Sequence, residues 1–433
     1  MRTLTTTFTI LLATLLTTGS FGQATPNFQP LADSFNVSNP NAVQAINISY
    51  GDIEASKQLF HIFLPNRADT FPLVIFFHGG GFTGGNPGIV FQDPERREIV
   101  KYFLDNNIGF VSMGYRLIAE DEPDLHGVSK SLDDAKFGLQ FIRHHAETLH
   151  IDPDKIAVMG SSAGAGTSIW LGVRDDMADP NASNPILRES TRVSAVFASG
   201  TQSTYDLYKW ETEIFDDFDG QGTNFTLDSI ADIMSTESLS NFYGGLDSLY
   251  QLVHDPTLIA YRQDVDMLHH LSSDDPPIYI YSKNKADHPS DDVLHHWYHS
   301  REVYEIARAA NVSEVKAEIV AAELNTTNDE TGNAFLLRHL NNAPIEPITP
   351  VLGVESPITA KLYPNPASTH FYVSLENDTV QQVDVLSVYG AVVIRQLNVT
   401  ESTPIATASL DAGIYLVKIT GNKTQTTKRL VIR

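Results

Sequence analysis

Short apolar runs separated by turn-forming residues recur along the first three quarters of the chain. Those at 43–50, 59–64, 73–77, 109–113, 156–159, 193–198, 278–281 and 315–320 are rich in Val, Ile, Leu and Phe and have strand length. Between several of them lie stretches of helical spacing, notably 130–149 and 297–310. Strands alternating with helices predict an α/β fold, a mostly parallel sheet with helices on both faces. Residues 201–274 break the alternation with a long irregular stretch. That is the place for a cap insertion over a substrate site.

Past residue 359 the pattern becomes all strand. Tyr415, Val417 and Ile419 alternate with period two after Ala412-Gly413, and Val383, Val385 and Val388 precede a turn at Tyr389-Gly390. A small antiparallel sandwich is expected over 359–433. The prolines at 344, 347, 350 and 357 make 344–358 an extended linker. Charge changes at the same place. Residues 359–433 hold 5 acidic and 7 basic side chains, whereas the whole chain holds 53 and 29.

The 433 residues can bury one large core and a smaller one, and a net charge of −24 repels phosphate backbones and anionic lipid. Nucleic acid is therefore not an expected partner. The absence of cysteine excludes a disulfide scaffold, a thiolate nucleophile and Cys-ligated metal. At the N-terminus, Arg2, an apolar stretch over 8–16 and small residues at Ser20 and Gly22 read as a signal peptide of residues 1–22. No stretch reaches the roughly 20 apolar residues that a membrane span needs. The expected organisation is a leader, an α/β domain over 23–343, the linker and the sandwich.

Two motifs carry chemistry. Residues 156–159 run into Gly160-Ser161-Ser162-Ala163-Gly164, a G-x-S-x-G pentapeptide between an apolar strand and a small-residue helix. Such a turn projects the Ser162 hydroxyl above the sheet and aims the Ala163 N–H at a carbonyl oxygen under attack. Upstream, His78-Gly79-Gly80-Gly81-Phe82 closes another apolar run. Consecutive glycines let backbone N–H groups face a developing oxyanion. Gly80, Gly81 and Ala163 are the candidate donors, with Gly79 as the alternative to Gly81. His78 reads as a residue that orients the loop. A P-loop is excluded because no Lys-Ser/Thr follows.

With Gly114-Tyr115-Arg116-Leu117 and Ile151-Asp152-Pro153-Asp154-Lys155, these motifs resemble the esterase/lipase, hormone-sensitive-lipase-like branch of the α/β-hydrolases. The resemblance implies serine ester hydrolysis through an acyl-enzyme without a cofactor. It further implies an acid after the seventh strand of the family sheet and a histidine after the eighth. Counting from the run at 276–281 puts the acid near Asp287, and counting back from 300–304 puts it at Asp292. The loop at 321–329, where the histidine belongs, contains none, and His339 lies in a terminal helical run. Three readings stay open. The base has migrated to the cluster His295, His296 and His299, with His296 the first choice; or the domain is a catalytically impaired relative with a binding role; or an ordinary base lies elsewhere.

The tail resembles the C-terminal sorting domain of the type IX secretion system of Bacteroidetes, through Leu362-Tyr363-Pro364-Asn365-Pro366, Tyr389-Gly390, residues 410–415 and residues 428–433. That implies the secretion machinery as a partner and a secreted or cell-surface protein. An exported esterase could meet acylated polysaccharide, aryl esters, lipids or polyesters. Two weaker signals add nothing. Asp217, Asp219, Gln221, Gly222 and Asp228 fit an EF-hand loop poorly, and His295 and His299 lack the glutamate of a zinc helix between them. No metal is expected.

Overall fold

The computed structural model describes residues 26–118, 124–216, 225–341 and most of 360–432. The expected leader, the linker, the Tyr389-Gly390 turn and most of the EF-hand-like loop lie outside the described residues.

The α/β unit is built on strands β1 (Gln29–Pro30), β2 (Val43–Ser49), β3 (Leu59–Leu64), β4 (Phe71–Phe77), β5 (Gly109–Met113), β6 (Ile151–Ser161), β7 (Val196–Ser199), β8 (Ile278–Ser282), β9 (Val315–Ile319) and β10 (Leu324–Asn325). They form one sheet in the order β1-β2-β3-β5-β4-β6-β7-β8-β9-β10. From β5 to β9 every neighbouring pair is parallel, while the two ends are antiparallel. All eight strand runs read from the sequence are present. The two additional strands are two-residue edge pieces too short to leave an apolar run.

Why the central strands read as unbroken apolar runs is visible in the packing. Along β4, Leu73, Ile75 and Phe77 join one core while Val74 and Phe76 join the other. Likewise Ile156 and Val158 of β6 point one way and Ala157 and Met159 the other. Successive side chains of a strand face opposite sides, so a sheet covered on both needs apolar residues at every position. Helices α1 (Pro94–Asp105) and α5 (Gly332–Asn341) close one face with Phe103, Leu104, Phe335 and Leu336. On the other lie α2 (Val128–His144), α3 (Ala163–Val173) and α4 (Trp297–Ala309). Every residue of α3 is buried, which explains its apolar composition all round. The helix expected over 130–149 breaks at His145, after which a single further turn, Ala146–Leu149, leads into β6.

The long stretch after β7 is more ordered than its sequence suggests. It holds helices at Leu227–Met234, Thr236–Phe242, Leu249–His254, Pro256–Asp264 and Met267–His270. These pieces are short, and several start at a side-chain cap, such as Thr226, Ser235, Asp255 and Asp266. No helix among the described residues is long and apolar enough to cross a membrane.

The C-terminal unit contains β11 (Ala360–Tyr363), β12 (His370–Leu375), β13 (Val380–Ser387), β14 (Val392–Leu397), β15 (Ile405–Ala406), β16 (Gly413–Gly421) and β17 (Gln425–Ile432). They form two antiparallel sheets, β11-β12-β15 and β14-β13-β16-β17. Phe371, Val373, Val383, Val385, Val417, Ile419 and Leu430 make its core, which shares no residue with the two cores of the α/β unit.

Because the cores are separate, a chain ending near residue 355 is expected to stay soluble and to unfold cooperatively on its own. Circular dichroism melts of the full and shortened chains test this. Aggregation of the shortened chain on expression would contradict it.

Candidate active site

Strand β6 ends in the elbow. Ser162 sits at φ 55° and ψ −125°, a backbone conformation that a residue with a Cβ seldom adopts. The flanking glycines allow the tight passage. A Cβ on Gly160 would lie 2.1 Å from the Gly164 carbonyl oxygen, and one on Gly164 would lie 2.1 Å from that of Phe77. The serine N–H donates to the Ser199 carbonyl at 3.0 Å, tying the elbow to the end of β7.

The glycine loop after β4 lies directly against the elbow. A Cβ on Gly79 would come within 2.8 Å of the Ser161 carbonyl oxygen and 3.1 Å of the Ser162 Cβ. Gly80 and Gly81 follow with φ of 121° and 61°, in the region glycine alone enters freely. The sequence expectation for His78 fits its surroundings. Its Nδ1–H donates to the Gly79 carbonyl at 2.8 Å, and its ring stacks on Tyr115 at 4.3 Å. The Tyr115 hydroxyl donates to the His78 carbonyl at 2.6 Å. Burial holds the His78 ring near pKa 4, which keeps it neutral.

The decisive contact comes from the loop after β8. His295 Nε2 lies 2.9 Å from Ser162 Oγ. Its Nδ1 lies 3.0 Å from Asp292 Oδ1, which also accepts the His295 backbone N–H at 3.2 Å. Asn284 Nδ2 donates to the second carboxylate oxygen at 2.7 Å. Serine, imidazole and carboxylate therefore stand in one line, with acid and base three residues apart on one loop.

The sequence reading of His296 as the ring at the serine is corrected. His296 caps α4, its Nδ1 accepting the Tyr298 N–H at 3.3 Å, and its ring packs on Phe215 and Tyr298. A residue that caps a helix is turned toward that helix, so its chain neighbour faces the serine instead. His299 is fully buried between Ser203 and Val293, against Trp210. Of the two acids, Asp292 reaches His295, whereas Asp287 is exposed on the loop. After β9 the chain forms a hairpin into the edge strand β10, and His339 on α5 lies 3.2 Å from Glu314. Asn284 was missed altogether, because a lone amide in a loop has no sequence signature. Among the described residues no group of three metal-ligating side chains is assembled.

Comparison with known proteins bears on the two units. Residues 60–238 match the BD-FAE family, and residues 361–433 match the family described as secretion system C-terminal sorting domain. The α/β unit is thus similar to esterase/lipase-type α/β-hydrolases, and the C-terminal unit to type IX sorting domains. Among curated relatives, Probable carboxylesterase 3 of Arabidopsis thaliana is 32% identical over 26% of this chain and 36% of its own length. Carboxylesterase NlhH of Mycobacterium tuberculosis is 34% identical over 24% of this chain and 30% of its own. The chain thus spans about a third or less of the curated relatives it matches. A solved structure titled "Truncated form of carbohydrate esterase from gut microbiota" shares the fold, with a TM-score of 0.50 and 14% identity over 72% of this chain and 99% of that one. The match of the tail indicates type IX export, to the medium or the cell surface.

Buried histidines make the fold acid-sensitive. Burial lowers His61, His78 and His296 to about 4 and His299 to about 3, while unfolded histidine takes up its proton near 6.5. Between those values the unfolded chain binds more protons, so stability falls as pH drops from about 6.5 to about 4. Burial raises Asp275 to about 7 and also raises Asp206, which opposes the trend but with fewer groups than the four histidines. Urea midpoints should therefore decline steadily from pH 7 to pH 5. Constant midpoints would show that the rings are not held neutral.

Proposed function

We propose that the chain is an exported serine hydrolase of carboxylic esters. The observation that carries this reading is the line from Ser162 Oγ to His295 Nε2 and from His295 Nδ1 to Asp292, at 2.9 and 3.0 Å. A serine hydroxyl is a weak nucleophile until a base accepts its proton. In this reading His295 Nε2 takes that proton as Ser162 Oγ attacks the ester carbonyl. Asp292 holds the proton on Nδ1, which leaves Nε2 free to accept, and stabilises the imidazolium that forms. The N–H groups of Gly80, Gly81 and Ala163 receive the oxyanion, each donor worth about 2.7–4 kcal/mol of barrier. The protonated ring then passes its proton to the leaving alkoxide. Water, activated by the same ring, hydrolyses the acyl-serine.

The rival reading, an idle relative that only binds, arose because the loop at 321–329 after β9 contains no histidine. A ring already at hydrogen-bond distance from the serine removes that reason. The substrate is proposed by class only: carboxylic esters met outside the cell, with acylated polysaccharide, aryl esters, lipids and polyesters as candidates. The matching of the tail to the sorting family supports an extracellular site of action.

Ser162→Ala and His295→Ala should each lower nitrophenyl acetate turnover by roughly 10⁴-fold or more, since members of such a line act as a unit. His296→Ala should lower the melting temperature, through the lost cap, and retain turnover within about tenfold. Retained hydrolysis in Ser162→Ala would overturn the assignment. A panel of acetylated xylan, feruloyl esters, triglycerides and polyester film would then order the substrate classes.

A further inference from the structure

The acid and base of this site stand on one loop, so their relative placement depends directly on the backbone of residues 292–295. Two residues separate them, Val293 and Leu294, and the carbonyl oxygen of each is held by a buried side chain. His299 Nε2–H donates to the Val293 carbonyl at 2.9 Å. Gln202 Nε2 donates to the Leu294 carbonyl at 2.6 Å. The Val293 side chain is itself 2% exposed and sits in the main core.

Both holding side chains trace back to the segment after β7. Gln202 is 6% exposed, and the Thr201 hydroxyl donates to its backbone carbonyl at 2.7 Å. The neighbouring Ser203 N–H reaches His299 Nδ1 at 3.3 Å, with the Ser203 hydroxyl at 2.9 Å from the same nitrogen. A neutral imidazole has one donor and one acceptor, and His299 uses both here. The rings of Trp210 and Phe215 close around it at 4.6 and 5.3 Å.

We infer that Gln202 and His299 are positioning residues that clamp two of the three peptide groups between Asp292 and His295 and so set the geometry of the acid–base pair. The inference rests on the proposed hydrolase reading. In an arrangement with acid and base on separate loops, each loop can be fixed independently. Here a rotation of either intervening peptide would swing the imidazole relative to both the carboxylate and the serine. Displacements of about 1 Å at such a site cost on the order of 10²-fold in rate. Gln202 and His299 touch neither substrate nor the reacting atoms, so their effect belongs in kcat and not in KM.

The test uses the full chain with a nitrophenyl ester. Gln202→Ala, and the near-isosteric Gln202→Met should the first fold poorly, are expected to lower kcat at least tenfold with KM within about twofold. His299→Phe should act in the same direction. Added to His295→Ala, Gln202→Ala should leave the residual rate unchanged, because there is no longer an imidazole to position. A folded Gln202 variant with kcat within twofold of the parent would overturn the clamp, as would a further loss in the His295→Ala background. Full activity in His295→Ala by itself would instead overturn the Ser162–His295–Asp292 line on which the inference rests.

Discussion

The structure around the site depends on one backbone constraint, the left-handed turn at Ser162. A residue with a Cβ stays at φ 55° only where the surroundings leave no alternative. Here β6 enters the turn from the middle of the sheet, and the wholly buried α3 leaves it. The chain passes so close to itself that Gly160 and Gly164 have no room for a methyl group. The strain is offset by two cores that extend over both faces of the sheet. What results is a hydroxyl raised above the sheet edge, with the glycine loop after β4 on one side and the loop after β8 on the other.

Placing the proposed acid and base on the same loop changes what the rest of the sheet must supply. Among the described residues, none after β9 reaches the Ser162–His295–Asp292 line, and the chain turns back at once as the edge strand β10. In compensation, the loop after β8 is tied at several points. Asn284 holds the far oxygen of Asp292, and His296 caps α4 immediately after His295. His295 thus directly precedes the capping residue that sets the start of α4. A short loop with many fixed points gains precision and loses tolerance, because a change anywhere along it moves both groups together.

The glycine loop shows a related division of labour. Gly80 and Gly81 provide conformational freedom, while Tyr115 holds the loop through the His78 carbonyl and stacks on the His78 ring. Phe82, the next residue, also adopts a positive φ of 64° and is buried against Tyr205, Tyr115 and Phe242. Phe242 ends a helix of the segment after β7, so that segment packs against the loop proposed to hold the oxyanion.

How much was legible in the chain follows from which constraints are local. The parallel sheet was legible because strands buried on both faces need apolar residues at every position. The elbow and the glycine loop were legible because close backbone approach and positive φ demand glycine at fixed spacing. The change of charge and pattern at the tail marked a second unit for the same kind of reason. The helices of the segment after β7 were not legible, since they are short and depend on packing more than on periodicity. Nor was the choice among His295, His296 and His299, or between Asp287 and Asp292. Such a loop has no repeat, and moving a helix start by one residue exchanges the ring that caps the helix for the ring that meets the serine. By itself the sequence determined the fold class, the serine and the glycine loop. Tertiary structure alone decided which imidazole and which carboxylate reach that serine, because the contact spans 133 positions of chain and depends on three loops converging at one sheet edge.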